Sequence, residues 1–136
     1  MKPLVLLLAS LTAMPLNAQE AGPPNDIPVE EWRDMALGRT LTYQINGQFF
    51  ALEQYFPSGN RVSLQSHTGE CLSGTWSHTG NQYCYDWGKG GASCFRHVRA
   101  NGTIMIIPID DGNGQGTIQV MSGVSDAPLQ CGQNLS

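Results

Sequence analysis

The sequence QYCYDWGKGGASCFRHV, at positions 82–98, decides the fold of this chain. Its two halves, residues 82–87 and 92–98, carry the aromatic residues that strands favour, and a glycine-rich segment separates them. A hairpin whose loop covers residues 87–91 places Cys84 directly opposite Cys94, at a cross-strand distance that a disulfide can bridge. The stretch therefore predicts a disulfide-linked β-hairpin.

The chain has four cysteines, and this hairpin leaves Cys71 and Cys131 to pair with each other. An even number of cysteines in an oxidising compartment is typical of disulfides. Structural zinc instead uses close pairs of cysteines, whereas 12, 9 and 36 residues separate successive cysteines here. In chain-entropy terms the long link contributes about 4 kcal/mol and the hairpin link somewhat under about 3 kcal/mol.

Outward from the hairpin, the sequence divides into short runs that favour strands, separated by tight turns. Asn46-Gly47 is the clearest of these turns, because this dipeptide is the strongest short hairpin signal. The runs cover residues 41–45, 48–56, 61–67, 70–78, 82–87, 92–98, 103–109 and 117–121. They predict a mainly β fold, an antiparallel meander of about eight short strands. Because a meander must hide its edges, we expect a small closed barrel or a tight sandwich.

The N-terminal region has the pattern of an export signal. In residues 1–18, Lys2 precedes an apolar run of about ten residues, too short to span a bilayer, and Ala18 marks the predicted cleavage site. Residues 19–29 contain three prolines and are expected to form an extended, mobile leader. A single disulfide-stapled domain over residues 30–136 follows. It begins with a short helix over residues 30–37, which Gly38 ends.

The charge of the chain limits its partners. Its formal net charge is −4, and loss of Lys2 with the signal peptide leaves six basic residues against eleven acidic ones. Nucleic acids and anionic membranes attract clustered Lys and Arg. We therefore expect no nucleic-acid partner. No other apolar run approaches membrane-spanning length, so we expect no stable membrane insertion of the mature chain, which the export signal should make periplasmic or secreted.

Several short sequence segments occur together in an order and spacing that other proteins share. They are residues 38–43, 53–55, 61–62, 69–71, 74–76 and 83–85, Cys94 and residues 128–131. In these the chain resembles a group of small exported alphaproteobacterial proteins of uncharacterised function with four cysteines. The resemblance covers most of the chain after Gly38. It implies a periplasmic setting and two disulfides, and it implies no activity.

The sequence predicts no catalytic residues, no metal site and no cofactor. His67 and His78 lie near turns and His97 lies among charged strand residues, so we expect surface histidines. The disulfides leave no thiol nucleophile. Residues 110–116 resemble the start of a calcium loop, but the position that needs a bidentate carboxylate is Ser122.

Aromatic residues are the more suggestive feature. Tyr83, Tyr85 and Trp87 share one face of a strand, and Cys84 lies on the other. This aromatic face, together with Lys89 in the hairpin loop, is a candidate recognition surface. The alternative is that the aromatic face belongs to the core and that the disulfide packs outside.

These observations favour an exported binding or interaction module of the periplasm, whose partner is an unknown periplasmic protein or a small apolar ligand at a barrel mouth. One alternative is a secreted hydrolase inhibitor, which would use the leader or the hairpin loop. Another is a carrier of a small apolar ligand. An enzyme would need a pocket that gathers His97, Asp86 and Glu70, and the sequence does not predict one.

Overall fold

Short antiparallel strands make up most of the folded chain. The structure is a computed structural model and describes residues 25–109 and 116–131. Its elements in chain order are β1 (Asn25–Asp26), α1 (Val29–Ala36), β2 (Thr40–Ile45), β3 (Gln48–Tyr55), β4 (Arg61–Ser66), β5 (Cys71–Thr79), β6 (Gln82–Asp86), β7 (Ala92–Ala100), β8 (Thr103–Pro108) and β9 (Gln119–Ser125). One turn of 3-10 helix, Gly88–Gly90, lies between β6 and β7.

Strands β2 to β9 close into a barrel. From β2 onward each strand pairs antiparallel with the next strand in the chain, and β9 pairs back onto β2. In the central hairpin Cys84 lies opposite Cys94, which is the predicted register. The prediction of an antiparallel meander is confirmed, and of the two architectures expected, the closed barrel is the one present.

Both predicted disulfides are confirmed. Cys84–Cys94 links β6 to β7 with 4.0 Å between Cα atoms, and Cys71–Cys131 links the start of β5 to the C-terminal segment with 5.8 Å between them. Disulfides persist in oxidising compartments, so the pair indicates a protein that works outside the cytoplasm. Within the described ranges, no helix is both long and apolar enough to cross a membrane.

The two ends of the barrel differ. At one end α1 packs across the opening and inserts Trp32, which is fully buried. The indole of Trp32 meets the ring of Tyr55 edge-on, with 6.0 Å between centroids, and its centroid lies 4.0 Å from that of His97. Gly38, with φ +75°, then turns the chain into β2. We call this the closed end. We call the opposite end, where the β2–β3, β4–β5 and β6–β7 connections lie, where β8 ends and where β9 begins, the open end.

The described part of the predicted leader, residues 25–29, is folded. Residues 25–29 belong to the folded domain, because β1 pairs with Val98 and Arg99 of β7 and Ile27 is 2% exposed. The hydroxyl of Tyr83 donates a hydrogen bond of 2.6 Å to the Ile27 carbonyl. The prediction of a mobile leader is therefore wrong for its last five residues, 25–29, where backbone pairing and burial outweigh the turn-rich composition.

The remaining boundaries are close to those expected. Helix α1 lies one residue before its predicted position, and β9 extends four residues beyond the predicted run because it pairs with β2 along that length. The signal peptide over residues 1–18 lies outside the described residues. So does most of the candidate calcium segment, residues 110–115.

Candidate functional site

A cavity of about 160 Å³ opens at the open end of the barrel. Its deep part consists of buried side chains, namely Tyr43, Glu53, Tyr85, His97 and Ile106. Its mouth consists of half-buried Phe50, Leu64, Trp87, Phe95 and Gln119, with exposed Ser93. The interior of an eight-stranded barrel is just wide enough for side chains to fill it or for one small ligand. Here Trp32 fills the closed end, and the cavity occupies the open end.

Two local features of the backbone shape the mouth. The register of β2 and β3 shifts between Tyr43 and Gln44 and leaves Phe50 as an extra residue in β3. Such a bulge re-aims a side chain, and Phe50 lines the cavity although strict alternation from Glu53 would turn it outward. Gly74 of β5 leaves room for Trp87, since a Cβ there would lie 2.8 Å from Trp87 Cε3.

A chain of hydrogen bonds runs from the cavity toward the closed end. The hydroxyls of Tyr43 and Tyr55 both donate to Glu53 Oε1, at 3.0 Å and 2.6 Å. The Tyr55 and Tyr85 hydroxyls are 2.6 Å apart, and the Tyr85 hydroxyl is 3.2 Å from His97 Nε2. These residues come from β2, β3, β6 and β7, so the closed barrel is what brings them together.

Burial controls the charge of the residues in this hydrogen-bond chain. Loss of solvation raises the pKa of Glu53 to about 7, although the hydroxyls of Tyr55 and Tyr43 act in the opposite direction. Burial first, and then the Glu53 charge, raises the pKa values of Tyr43, Tyr55 and Tyr85 well above their ordinary range. Among the residues of this hydrogen-bond chain, Glu53 is therefore the one whose charge changes near neutral pH.

His97 is held neutral inside the barrel. It is 1% exposed and stacks on the ring of Tyr83 with 3.8 Å between centroids. Burial, and then the nearby His78, lowers its pKa well below the ordinary value. Each tyrosine has one hydroxyl proton. Because the Tyr55 hydroxyl donates its hydrogen bond to Glu53, the Tyr85 hydroxyl must donate to Tyr55, and His97 Nε2–H must donate to Tyr85. Nδ1 of His97 then has no proton, and it finds no partner among the described residues.

Glu53 is the residue through which this cavity could bind a polar or charged group. It is 6% exposed, and both tyrosine hydroxyls reach the same oxygen, Oε1. Neither tyrosine hydroxyl donates to Oε2. The cavity thus has one carboxyl group in its lining and mostly apolar walls around it. Within residues 25–109 and 116–131, no group of three or more acidic, histidine or cysteine side chains could hold a metal ion.

The candidate recognition surface is divided by the structure. Tyr83 and Tyr85 are 1% and 3% exposed and belong to the core, so the prediction of an exposed aromatic patch is wrong for both. Trp87 is half-buried at the mouth, and Lys89 is exposed in the 3-10 turn. The alternative expectation holds for this strand, because the aromatic face points inward and Cys84 lies on the outer side of β6.

The three residues that an enzyme would have gathered differ in burial. His97 is buried inside the barrel, whereas Asp86 and Glu70 are exposed. The expectation of surface histidines is wrong for His97, because the closed barrel turns that face of β7 inward. It is right for His67, which is exposed, while His78 is half-buried.

Sequence reasoning did not single out Glu53, Tyr43 and Tyr55 as a group. A signal was available in β3, where Ala51, Glu53 and Tyr55 alternate with neighbours of the other face and all three are buried. A carboxylate at an inward position between two core residues needs hydrogen-bond donors. The tyrosines that supply them could have been sought at inward positions of the neighbouring strands.

No protein-family model, no curated protein and no solved structure matches this chain. The geometry of the cavity is therefore the basis for assigning a function.

Proposed function

We propose that this chain is an exported, periplasmic binding protein that holds a small apolar ligand in the open end of its barrel. The observation that carries the proposal is the cavity of about 160 Å³, walled by aromatic and aliphatic side chains and reached from outside at Ser93. Ligand sites are typically concave and mostly apolar with a few placed polar groups. The pattern of residues 1–18 supports export, and the disulfides agree with it.

Exposed apolar side chains around the mouth also support this proposal. Phe49, Leu72 and Ile118 are 50%, 40% and 47% exposed, and each lies within two residues of a connection at the open end. Exposed apolar groups that cluster around an opening are typical of binding sites. They would favour the entry of an apolar molecule.

A pair of tryptophan substitutions tests the proposal. Ser93→Trp puts a large ring into the mouth from β7, because Ser93 shares the inward face of Phe95 and His97. Ser77→Trp makes the same change at an exposed position of β5, next to inward-facing Trp76. The oxidised proteins are incubated with periplasmic extract and re-isolated, and the small molecules that they retain are measured by mass spectrometry.

We expect a retained small molecule on the wild type and on Ser77→Trp, and its loss on Ser93→Trp. Equal retention by all three proteins, or by none, contradicts the proposal. The interaction module and the hydrolase inhibitor stay predictions, the inhibitor through either the leader or the hairpin loop. A saturable protein in the same pull-down would favour them. Conversion of the retained molecule over time would instead favour an enzyme.

A further inference from the structure

The base of the cavity can accept a hydrogen bond but has none to give when Glu53 is ionised. Tyr43 and Tyr55 each have one hydroxyl proton, and both donate it in a hydrogen bond to Glu53 Oε1. Glu53 lines the cavity and is 94% buried, and the hydrogen bonds from both tyrosines go to Oε1, not to its second oxygen. A buried carboxylate whose described donors are two neutral hydroxyls has lost its solvation without gaining a charged partner, which is costly. A ligand that brings a hydrogen-bond donor would remove that cost.

The charges around Glu53 favour a cation at this position. The titratable groups that face it are Tyr43 from β2, Tyr55 from its own strand β3 and Tyr85 from β6, with His97 of β7 behind Tyr85. None of these carries a positive charge, and the described residues that line the cavity include no Lys or Arg. An anionic head group such as a carboxylate would meet Glu53 without a compensating cation. Fatty acids and other acids are therefore unsuited to this site.

The walls suit a cation as well. Tyr85 and Trp87 stack nearly parallel, with 5.9 Å between centroids, and Phe95 lies 5.8 Å from Tyr85. All three rings line the cavity. The faces of aromatic rings attract ammonium groups, and this attraction grows where water is excluded.

The volume limits the rest of the ligand. A cavity of about 150 Å³ in another protein binds benzene, and this cavity measures about 160 Å³. One six-membered ring with a short substituent therefore fills it. A longer molecule would have to extend through the mouth.

We infer that the ligand is a small apolar amine, with a body about the size of one ring and a single ammonium group that donates to Glu53 Oε2. This inference rests on the proposed function, because it assigns chemistry to the same cavity. Glu53 binds the ammonium group, and the aromatic walls surround the ring. The raised pKa of Glu53 agrees with a buried acid to which only neutral hydroxyls of the described residues donate.

Three probes of one shape test the inference. Benzylamine, benzyl alcohol and benzoate share a ring and differ in the charge of the substituent. Their affinities are measured by isothermal titration calorimetry at about pH 8, above the pKa of Glu53. The proteins are the oxidised wild type, Glu53→Gln, Ser93→Trp and the matched control Glu70→Gln, which changes an exposed carboxyl.

We expect wild type and Glu70→Gln to bind benzylamine about 10- to 100-fold more tightly than benzyl alcohol, the range for a hydrogen bond to a charged group. Glu53→Gln should lose that preference and keep its affinity for benzyl alcohol. Benzoate should not bind, and Ser93→Trp should bind none of the probes. At about pH 5, where Glu53 is protonated, benzylamine should bind at least about tenfold more weakly to the wild type.

The outcomes separate this inference from the function on which it rests. If benzyl alcohol and benzylamine bind equally and Glu53→Gln changes neither, the amine is wrong and the apolar cavity stands. If benzoate binds best, or if benzylamine binds more tightly at about pH 5, the assignment of a cation to Glu53 is overturned. If no probe binds to the wild type, the proposed binding function fails together with the inference.

Discussion

The ionisation of Glu53 should make the stability of this protein depend on pH in a direction that a surface carboxylate would not give. The substitution Glu53→Gln isolates the effect. A glutamine side chain has the same shape and keeps an oxygen that can accept the hydroxyls of Tyr43 and Tyr55. It has no proton to lose. Any part of the pH dependence that disappears with this substitution therefore belongs to the Glu53 carboxyl.

The magnitude follows from the pKa. Glu53 has a pKa of about 7 in the folded chain against an ordinary value of 4.5. Because the pKa is raised, the folded state holds the proton more tightly than the unfolded chain. The free energy of unfolding therefore falls as the pH rises from 4.5 to about 7. Each pH unit in this interval is worth about 1.4 kcal/mol, so the total loss is about 3 kcal/mol and is complete above about pH 7.

His97 works in the opposite direction. Its pKa is lowered in the folded state, so its contribution to stability is present above its ordinary pKa of 6.5 and is lost as the pH falls. The pH profile of the wild type alone mixes the two effects. The difference between Glu53→Gln and wild type removes the His97 contribution, because both proteins contain it.

Urea unfolding, followed by tryptophan fluorescence with the disulfides intact, measures this difference between about pH 4 and pH 9. We expect the two proteins to be similar at the acid end and Glu53→Gln to be more stable by about 3 kcal/mol above about pH 7. Glu70→Gln, at an exposed position, is the control. A difference that stays flat would refute the raised pKa. A difference that falls with pH would mean that the two tyrosine hydroxyls stabilise the carboxylate more than burial penalises it.

Two further substitutions test how the ends of the barrel are built. Trp32→Ala removes the buried indole from the closed end and should lower the free energy of unfolding by about 3–5 kcal/mol; a loss below about 1 kcal/mol in urea would show that Trp32 does not fill that end. Gly74→Ala places a Cβ too close to the Asp86 carbonyl and against the ring of Trp87, and should cost about 1–3 kcal/mol. Gly123→Ala is its control, because a Cβ there makes an ordinary contact, and equal costs for both substitutions would contradict the packing argument.

The fold was predictable where its determinants are local. The tight turn at Asn46-Gly47 and the position of Cys84 opposite Cys94 depend on neighbouring residues, and both are present in the structure. Once this hairpin is fixed, Cys131 has only Cys71 left as a partner. Short strands with tight turns then leave few topologies other than a meander.

The site was not predictable, because its residues come together only when the barrel closes. Alternation shows that Tyr85 and Cys84 lie on opposite faces of β6, but it does not show which face is inward. That choice is made when β9 pairs with β2 and closes the barrel. The same event buries His97 and brings Glu53 within reach of tyrosines from other strands. For β1 the signal was absent, since two residues have no periodicity to read.

The packing of the closed end and the chemistry of the open end are linked through one chain of hydrogen bonds. Trp32 and Tyr83 pack against His97 and keep it buried and neutral. A neutral His97 with its proton on Nε2 donates to Tyr85, and each following hydroxyl then donates toward Glu53. Every proton in the chain is used in that direction while Glu53 is ionised. The base of the cavity is then a hydrogen-bond acceptor. The packing of Trp32 at the closed end therefore helps to select the kind of ligand that we propose for the open end.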